Sequence, residues 1–437
     1  MYTKKETLLM QTSCKKKFLP VVLGFAEESV QAFGLNQRET FSIRLAVEEL
    51  YTYLCNVLES SDVEIICTNS GYFVELIFLF KGNIPLKSFN ITATISPDNN
   101  EDLDEMGLLI AARMVDNFKA SKNSDGNFSL KLIKEKSYPL YNLENIDFSF
   151  ENSDSFTITA PKPEELKLVS KYVKYFYKNS LLPDFFSYPG KLVDMVFLGD
   201  YQALIAIDNK RQIVGAIVWH WTSDKLIEFF GPFEFKKDFE KSLKEEIIVA
   251  FIEKIAKSDA IGIYSKAALA PLPLEYFEEI GNLLVFAKDR EISLPIYFRQ
   301  LKEDTGRVVW THEELKNFLM EQYQKLFLPR KVEIIHDMGE TIPEFSVLSA
   351  TLEHFSKTAT LKPIMFGNDI ENNLKAHINL LVGEKFKNIF FEIDTGISEH
   401  AYIVPSLLKN GFQPKLLLPC AGEGDIVIFQ LEKVNHA

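Results

Sequence analysis

Hydrophobic positions in the first third of the chain change between helical and strand spacing. Stretches with an apolar side chain at every third or fourth position predict amphipathic helices, and short apolar runs bounded by turn residues predict strands. The predicted elements are, in chain order, two helices, a hairpin turning at Ser70-Gly71, a helix and a strand, at 19–34, 38–60, 63–69 with 72–80, 107–118 and 127–134. This order predicts an α/β sandwich over residues 1–138.

Residues 139–155 are polar and show no sustained period, so we interpret them as a linker. The sequence after the linker repeats one order of elements. A strand at 156–161 leads into a helix that begins EELK, and a strand at 307–312 leads into another helix that begins EELK. Agreement of this kind over several elements favours duplication of a small domain.

Each copy continues with a long amphipathic helix, a strand, a short helix ending at a glycine, and two last strands. Gly281 is the closing glycine of the first copy and Gly411 that of the second. The interval from EELK to that glycine is shorter in the second copy, by about a strand and a loop. We therefore predict two further α/β domains, at 156–305 and 306–437.

Composition narrows the classes of partner. The net charge of −13 repels nucleic acid and anionic membrane surfaces, and no stretch approaches 18 uninterrupted apolar residues. Four cysteines without CxxC spacing indicate neither a zinc site nor a disulfide framework, and no other spacing indicates a metal. We expect a cytoplasmic protein that binds neither nucleic acid nor membrane.

Residues 20–135 resemble the anti-sigma-factor serine kinases of the GHKL ATPase class. The resemblance begins at Ala46-Val47-Glu48-Glu49 and implies that Glu49 is a general base in a site for ATP and magnesium. The family's magnesium-binding Asn falls on Tyr53, whose phenol is a poor ligand for a hard cation. Asn56, one helical turn further on, is the alternative ligand.

Two other motifs of that family are present in part. The adenine-reading Asp is missing, because Phe80 and Lys81 precede the matching Gly82. The phosphate lid keeps Gly107 and Leu108 but loses its second glycine, so fewer backbone N–H groups are free to wrap a phosphate. The alternatives are an active kinase, an ATP-binding module without turnover and a degenerate module used for protein contact, and the last is favoured.

The repeated order of elements resembles the GNAT acetyltransferase fold, over 156–302 and 307–432. The resemblance implies acetyl-CoA, with its pyrophosphate on a glycine-rich turn before the long helix. Gly231 and Gly367 are the single glycines near that place. Candidates for the general base are Glu228 and His220, whereas Phe277 and Leu407 occupy the place of the family's acidic Tyr.

The fold class predicted is therefore α/β: a GHKL-type sandwich followed by two GNAT-like domains. We interpret the chain as a bacterial regulatory protein, in which the front domain recognises a sigma factor or an anti-anti-sigma protein. The body would bind a small ligand or serve as a homodimer platform. The alternative is an acyl-CoA-dependent N-acyltransferase regulated by an ATP-binding front domain.

Overall fold

A computed structural model describes most of the 437-residue chain. The described residues are 6–58, 61–81, 90, 108, 110–122, 127–140, 149–178, 182–237, 239, 242–266, 272, 276–287, 290–336, 339, 342–353 and 356–432. They form four sheets of mixed α/β structure, which confirms the predicted α/β class. None of the helices within these residues is both long enough and apolar enough to cross a membrane.

The front unit has one sheet with helices packed on one face. Its helices are α1 (Leu19–Ala32), α2 (Gln37–Val57) and α3 (the helical residues 110–114), and its strands are β1 (Thr7–Ser13), β2 (Asp62–Asn69), β3 (Phe73–Lys81), β4 (Asn117–Lys122) and β5 (Asn127–Glu135). The strand order is β1-β2-β3-β5-β4, and all neighbours are antiparallel.

Sequence spacing predicted α1, α2 and the hairpin of β2 and β3 close to their observed positions. It predicted neither of the two edge strands, β1 and β4. The predicted helix at 107–118 gives way to β4 at Asn117, because Asn117 to Lys122 pair with β5 along their full length. The opposite edge strand, β1, carries no strong alternation of apolar residues. Its exposed Leu8 and Leu9 explain the weak signal.

The first repeat has a seven-stranded sheet of order β11-β12-β10-β9-β8-β7-β6. Its elements are β6 (Phe156–Thr159), α4 (Pro163–Phe176), α5 (Pro189–Phe197), β7 (Tyr201–Asp208), β8 (Ile213–Trp221), β9 (Leu226–Glu234), α6 (Leu243–Ile255), β10 (Gly262–Ser265), β11 (Glu278–Ala287) and β12 (Arg290–Gln300). β9 and β10 are parallel, and the other neighbours are antiparallel.

The second repeat has a five-stranded sheet of order β15-β16-β17-β19-β18 and a separate parallel pair, β13 with β14. Its elements are β13 (Arg307–Thr311), α7 (Glu313–Lys325), β14 (Arg330–Ile334), β15 (Val347–Glu353), β16 (Thr358–Met365), α8 (Ile370–Gly383), β17 (Asn388–Asp394), α9 (Ser398–Ala401), α10 (Val404–Lys409), β18 (Phe412–Leu418) and β19 (Ile426–Leu431).

The two repeats share one strand order. β8-β9-β10-β12-β11 of the first corresponds to β15-β16-β17-β19-β18 of the second, and in both the second and third strands of that series are parallel. The second sheet has five strands against seven, because β13 and β14, which precede β15, pair with each other and not with that sheet. The two sheets thus share a strand order, and duplication of a domain with a shortfall of about a strand and a loop stays a prediction.

The closing helix predicted for the first repeat is wrong at Gly281. Residues 278–287 form β11, with Gly281 inside the strand, whereas α10 of the second repeat ends as predicted before Gly411. The reason is tertiary. A Cβ on Gly281 would lie 2.8 Å from the carbonyl oxygen of Lys415, so glycine lets β11 approach β18 of the other repeat.

Each unit contacts the other two. Tyr138 of the front unit donates a 2.6 Å hydrogen bond to Asp194 of α5, and Asn90 donates a 3.0 Å bond to the carbonyl oxygen of Ser346 in the second repeat. Between the repeats, the backbone N–H of Phe286 donates to the side-chain oxygen of Asn388 at 2.6 Å. The three units thus close a ring of contacts.

Candidate functional site

The front unit's predicted base lies on α2, which packs its apolar stripe against the sheet. Glu49 is half-buried, and its carboxylate forms no hydrogen bond or ion pair within the described part of the chain. Tyr53, four residues on and therefore on the same helical face, is only 2% exposed and belongs to the hydrophobic core. Asn56 is half-buried in the last turn of α2. The family's magnesium position is therefore occupied by a buried phenol.

The expected adenine position is also part of the core. The Phe80 ring is 3% exposed and stacks on the Phe128 ring, with centroids 5.9 Å apart and planes 13° apart. Leu108 is 1% exposed and packs in the same core. Gly82 and Gly107, the two glycines predicted to contact nucleotide, lie outside the described residues. Phe80 thus supplies packing where the family has a hydrogen-bonding carboxylate.

A cluster of polar side chains lies where the parallel pairing of β9 with β10 ends in the first repeat. Antiparallel register sets His220 opposite Glu228, and parallel register sets Tyr264 opposite Glu228 on the other side. The Glu228 carboxylate accepts a 3.2 Å hydrogen bond from the Tyr264 hydroxyl and lies 3.3 Å from His220 Nε2. Both candidate bases predicted from the sequence are therefore in contact.

His220 is held by rings on both sides. Its imidazole stacks on Tyr201, with centroids 4.5 Å apart, and lies parallel to the Phe230 ring at 5.9 Å. The side chains of His220 and Glu228 are 20% and 13% exposed, so solvent reaches both only in part. The stacking fixes the imidazole plane so that one ring nitrogen points to the Glu228 carboxylate.

Electrostatics keep Glu228 ionised. Burial alone would raise the pKa of its carboxyl, but Lys266 and then His220 and Tyr264 outweigh burial and leave the pKa lowered. The pKa of Lys266 is raised, because Tyr264, Glu228 and Glu392 of the second repeat overcome its own desolvation. The cluster therefore contains a carboxylate and an ammonium that stabilise each other's charge, beside an imidazole.

The second repeat lacks this chemistry at the corresponding place. Leu226 and Thr358 begin the two parallel pairings, so Glu228 corresponds to Thr360, which faces Thr351 across the sheet. His354, which follows β15, lies outside the described residues. Among the described residues, no group of three or more His, Cys, Asp or Glu side chains could hold a metal ion.

The residues predicted to hold acyl-CoA in the first repeat do not form a phosphate cradle. Gly231 lies inside β9 with φ +107°, and a Cβ there would be 2.8 Å from the backbone nitrogen of Phe233. After β9, the buried Lys236 ammonium donates to the carbonyl oxygens of Glu151 at 2.7 Å and Ser153 at 3.3 Å. The Lys236 ammonium thus holds the linker.

The corresponding place in the second repeat is filled by the chain itself. A Cβ on Gly367 would lie 2.3 Å from the carbonyl carbon of Phe345. At the start of α8, Asp369 accepts hydrogen bonds from the backbone N–H and the hydroxyl of Ser346, at 2.5 and 2.6 Å. A carboxylate and a backbone segment therefore occupy the space where the pyrophosphate of acyl-CoA was expected, and the group does not fit there.

One observation in the first repeat favours a small ligand. The hydroxyl of Ser265, at the end of β10, is fully buried and has no hydrogen-bond partner among the described residues, and neither has the indole N–H of Trp219 on β8. Ser265 follows Tyr264 and Trp219 precedes His220, so both side chains face the other side of the sheet from the polar cluster. Buried polar groups are nearly always satisfied, so these two groups are atoms that a ligand or water would satisfy.

Tyr264 and Lys266 were not predicted as site residues. The sequence contains them in one strand end, AIGIYSK, where a Tyr and a Lys two residues apart share a strand face. Their place beside Glu228 depends on the parallel register of β9 with β10, which no local pattern fixes. A search for polar residues on alternate positions at the ends of adjacent parallel strands would have found them.

Comparisons with known proteins give structural likeness only: no family model matches the chain, and no curated protein matches it. An aminoglycoside 6'-N-acetyltransferase complexed with coenzyme A is 11% identical, over 34% of this chain and 98% of that chain, with a TM-score of 0.28. A GNAT-family acetyltransferase from Staphylococcus aureus is 17% identical, over 34% and 100%, with a TM-score of 0.26. The RsbU and RsbW domains of a Mycobacterium tuberculosis protein are 14% identical, over 31% and 33%, with a TM-score of 0.23.

Proposed function

We propose that this chain is a regulatory protein in which a degenerate anti-sigma-kinase-like front unit recognises a protein partner, a sigma factor or an anti-anti-sigma protein. The two GNAT-like repeats form the body that carries the front unit and binds a small ligand. Neither ATP turnover nor acyl transfer from CoA is part of this function.

One observation supports the proposal above all. The chain's own residues occupy the positions at which magnesium, adenine and the phosphates of acyl-CoA were expected to bind. Tyr53 and Phe80 pack into the core of the front unit at the expected magnesium and adenine positions. In the second repeat, Asp369 and the segment at Phe345 fill the expected phosphate place. When a fold is present but its ligand positions are packed by its own residues, a role in binding other molecules is favoured over catalysis.

Ligand binding gives the first test. A ligand that binds only the folded state must raise the unfolding midpoint. We expect no change in the midpoint of the full chain with ATP and magnesium, or with acetyl-CoA, at millimolar concentration. A rise with ATP and magnesium that Glu49→Ala abolishes would overturn the degenerate reading of the front unit.

Partner binding gives the second test, and an exposed aromatic side chain on a helix of the front unit is the position to probe. Phe41 on α2 is 59% exposed, whereas Phe327, 87% exposed, lies in the second repeat. Purified sigma factors and anti-anti-sigma proteins of the host would be titrated against the full chain by biolayer interferometry. We expect Phe41→Glu to weaken the interaction at least tenfold and Phe327→Glu to leave it unchanged. Absence of binding by every such protein would refute the partner class.

The polar cluster of the first repeat supports a second candidate, an acyltransferase with Glu228 or His220 as base. Its measurement is release of free thiol from acetyl-CoA in the presence of a panel of primary amines. Activity that Glu228→Gln lowers a hundredfold or more would replace the regulatory proposal, because a general base contributes about 10²–10⁴-fold. If no amine of the panel gives thiol release, the acyltransferase candidate is rejected, and ligand binding stays the proposed role of the cluster.

A further inference from the structure

Three lysines from two units come together where the front unit meets the second repeat. Lys119 on β4 lies directly opposite Lys131 on β5 in the antiparallel register. Residues so paired have Cβ atoms about 5 Å apart, and like charges in this arrangement are destabilising. Lys362 on β16 lies close enough to repel Lys119, and β15, the partner of β16, contacts β4.

Carboxylates compensate two of the three lysines. Lys131 pairs with Glu75 at 2.7 Å, and Lys362 pairs with Glu392 at 2.6 Å. Lys119 has no ion-pair partner among the described residues. The pKa of Lys119 is lowered by partial desolvation and further by Lys131 and Lys362, although Glu75, the carboxylate paired with Lys131, acts in the opposite direction. One of the three ammonium groups in this corner, by which we mean Lys119, Lys131 and Lys362, therefore has no ion-pair partner in the described residues, in a chain whose net charge is −13.

The surroundings of the corner suit a bound anion. Ile77 is the cross-strand neighbour of Lys131 on β3, and Ile133 lies two residues along β5 on the same face. Both isoleucines are half-buried and belong to none of the hydrophobic core clusters. Apolar neighbours of this kind lower the local dielectric and strengthen an interaction between an ammonium and an anion.

We propose that Lys119, Lys131 and Lys362 bind a small anion carrying two or more negative charges, borne on phosphate or on carboxylate groups. Such a ligand offsets the repulsion between the lysines and bridges β4 of the front unit to β16 of the second repeat. It therefore strengthens the contact between those two units. The site shares no residue with the partner surface at Phe41, so it stands independently of the proposed function.

The test measures unfolding midpoint and heat of binding for the full chain with inorganic phosphate, with citrate and with sodium chloride at equal ionic strength. Equal ionic strength removes the general screening effect of salt. We expect phosphate or citrate to give a saturable heat of binding that chloride does not give, and the anion that does so identifies the charged group. Because both anions also stabilise folded proteins in general, the midpoint counts only where it rises more for the parent than for the Lys119 variants. Equal midpoints in all three salts would overturn the proposal.

Variants separate binding from folding. Lys119 is exposed, so Lys119→Gln and Lys119→Glu are expected to fold. Both relieve the repulsion with Lys131, so both should raise the midpoint without anion and lose at least tenfold in anion affinity. Lys174→Gln, at a half-buried lysine of α4 without an ion pair in the described residues, is the matched control and should respond like the parent. An unchanged anion response in both Lys119 variants would contradict the site.

Discussion

The buried imidazole of His377 makes stability depend on pH at the scale of a single residue. Its side chain on α8 is fully buried, Nδ1 lies 2.9 Å from the carbonyl oxygen of Asn373, and Nε2 has no hydrogen-bond partner in the described part of the chain. Burial lowers its pKa to about 4, against about 6.5 in an unfolded chain. The unfolded state therefore binds more protons between these values, and stability falls as pH falls from about 6.5 to about 4.

We expect His377→Gln to remove most of this pH dependence, which amounts to about 3 kcal/mol for a shift of this size. The measurement is the unfolding midpoint at pH 7 and at pH 4.5, compared between the parent and the variant. His336→Gln, at an exposed histidine, controls for loss of an imidazole as such. An equal fall in midpoint for the parent and His377→Gln would show that carboxylates alone account for the acid sensitivity.

A site residue could be predicted from the sequence where its residue type alone indicates the chemistry. It could not be predicted where its role depends on the register between two strands. Sequence reasoning proposed Glu228 and His220 separately, and strand pairing brings them to 3.3 Å. Lys266 was not predicted, because the carboxylates that interact with it are Glu228 on β9 and Glu392 of the other repeat, both distant in the sequence. Gly231 and Gly367 were chosen by residue type, but both support close packing of the backbone.

At the scale of elements, α2 shows how a local signal fixes a helix end. The Asn36 side chain accepts from the backbone N–H of Glu39 at 3.0 Å, and Glu39 accepts from the N–H of Asn36 at 2.7 Å, which completes a capping box. The other oxygen of Glu39 accepts from the N–H of Ser137 at 2.6 Å, so this cap also anchors the chain leaving the front unit.

We therefore expect Glu39→Ala to destabilise the chain more than Asn36→Ala. Loss of the Asn36 cap costs about 1 kcal/mol, whereas loss of Glu39 removes two hydrogen bonds, from the N–H groups of Asn36 and Ser137, at about 1 kcal/mol each. Chemical denaturation of both variants measures the difference. Glu49→Ala, on the same helix but without a hydrogen bond in the described residues, should cost less than either. Equal costs for Glu39→Ala and Asn36→Ala would contradict the anchoring role.

Elements with their own periodicity were predictable, and elements determined by another unit were not. The hairpin of β2 and β3 follows from alternation around Ser70-Gly71. By contrast, β11 begins with Glu278 and Glu279, which favour a helix, yet it is a strand because it pairs with β12 and lies against β18. The side chains of Asn388 and Gln430 complete its edge by hydrogen bonding its backbone.

At the scale of the whole molecule, contacts between units decide how the front unit sits on the body. Gly71, at φ +77° in the hairpin turn, lies against α5 of the first repeat: a Cβ there would be 1.7 Å from a methyl group of Leu198. Lys191 of α5 pairs with Glu135 at 2.5 Å on the same side. This glycine is required by the neighbour as well as by the turn.

We expect Gly71→Ala to loosen the front unit from the body, because the added methyl group collides with Leu198. Gly339 has a similar φ of +75°, and no atom of the residues that the structure describes lies within 4 Å of its Cβ position, so Gly339→Ala carries the same backbone strain without a comparable collision. Limited proteolysis at the linker and the unfolding midpoint measure the effect. Gly71→Ala should exceed Gly339→Ala by about 1–3 kcal/mol, the usual cost of overpacking.

Adding Leu198→Ala to Gly71→Ala separates docking from turn strain. If the collision dominates, the double variant recovers protection of the linker and most of the lost midpoint, although it gives up the packing of the leucine side chain. If turn strain dominates, the double variant is weaker than either single change, and Gly339→Ala is as damaging as Gly71→Ala. Because Tyr138 and Asp194 lie at the same interface, the first outcome would also show that this contact depends on close approach of the turn to α5.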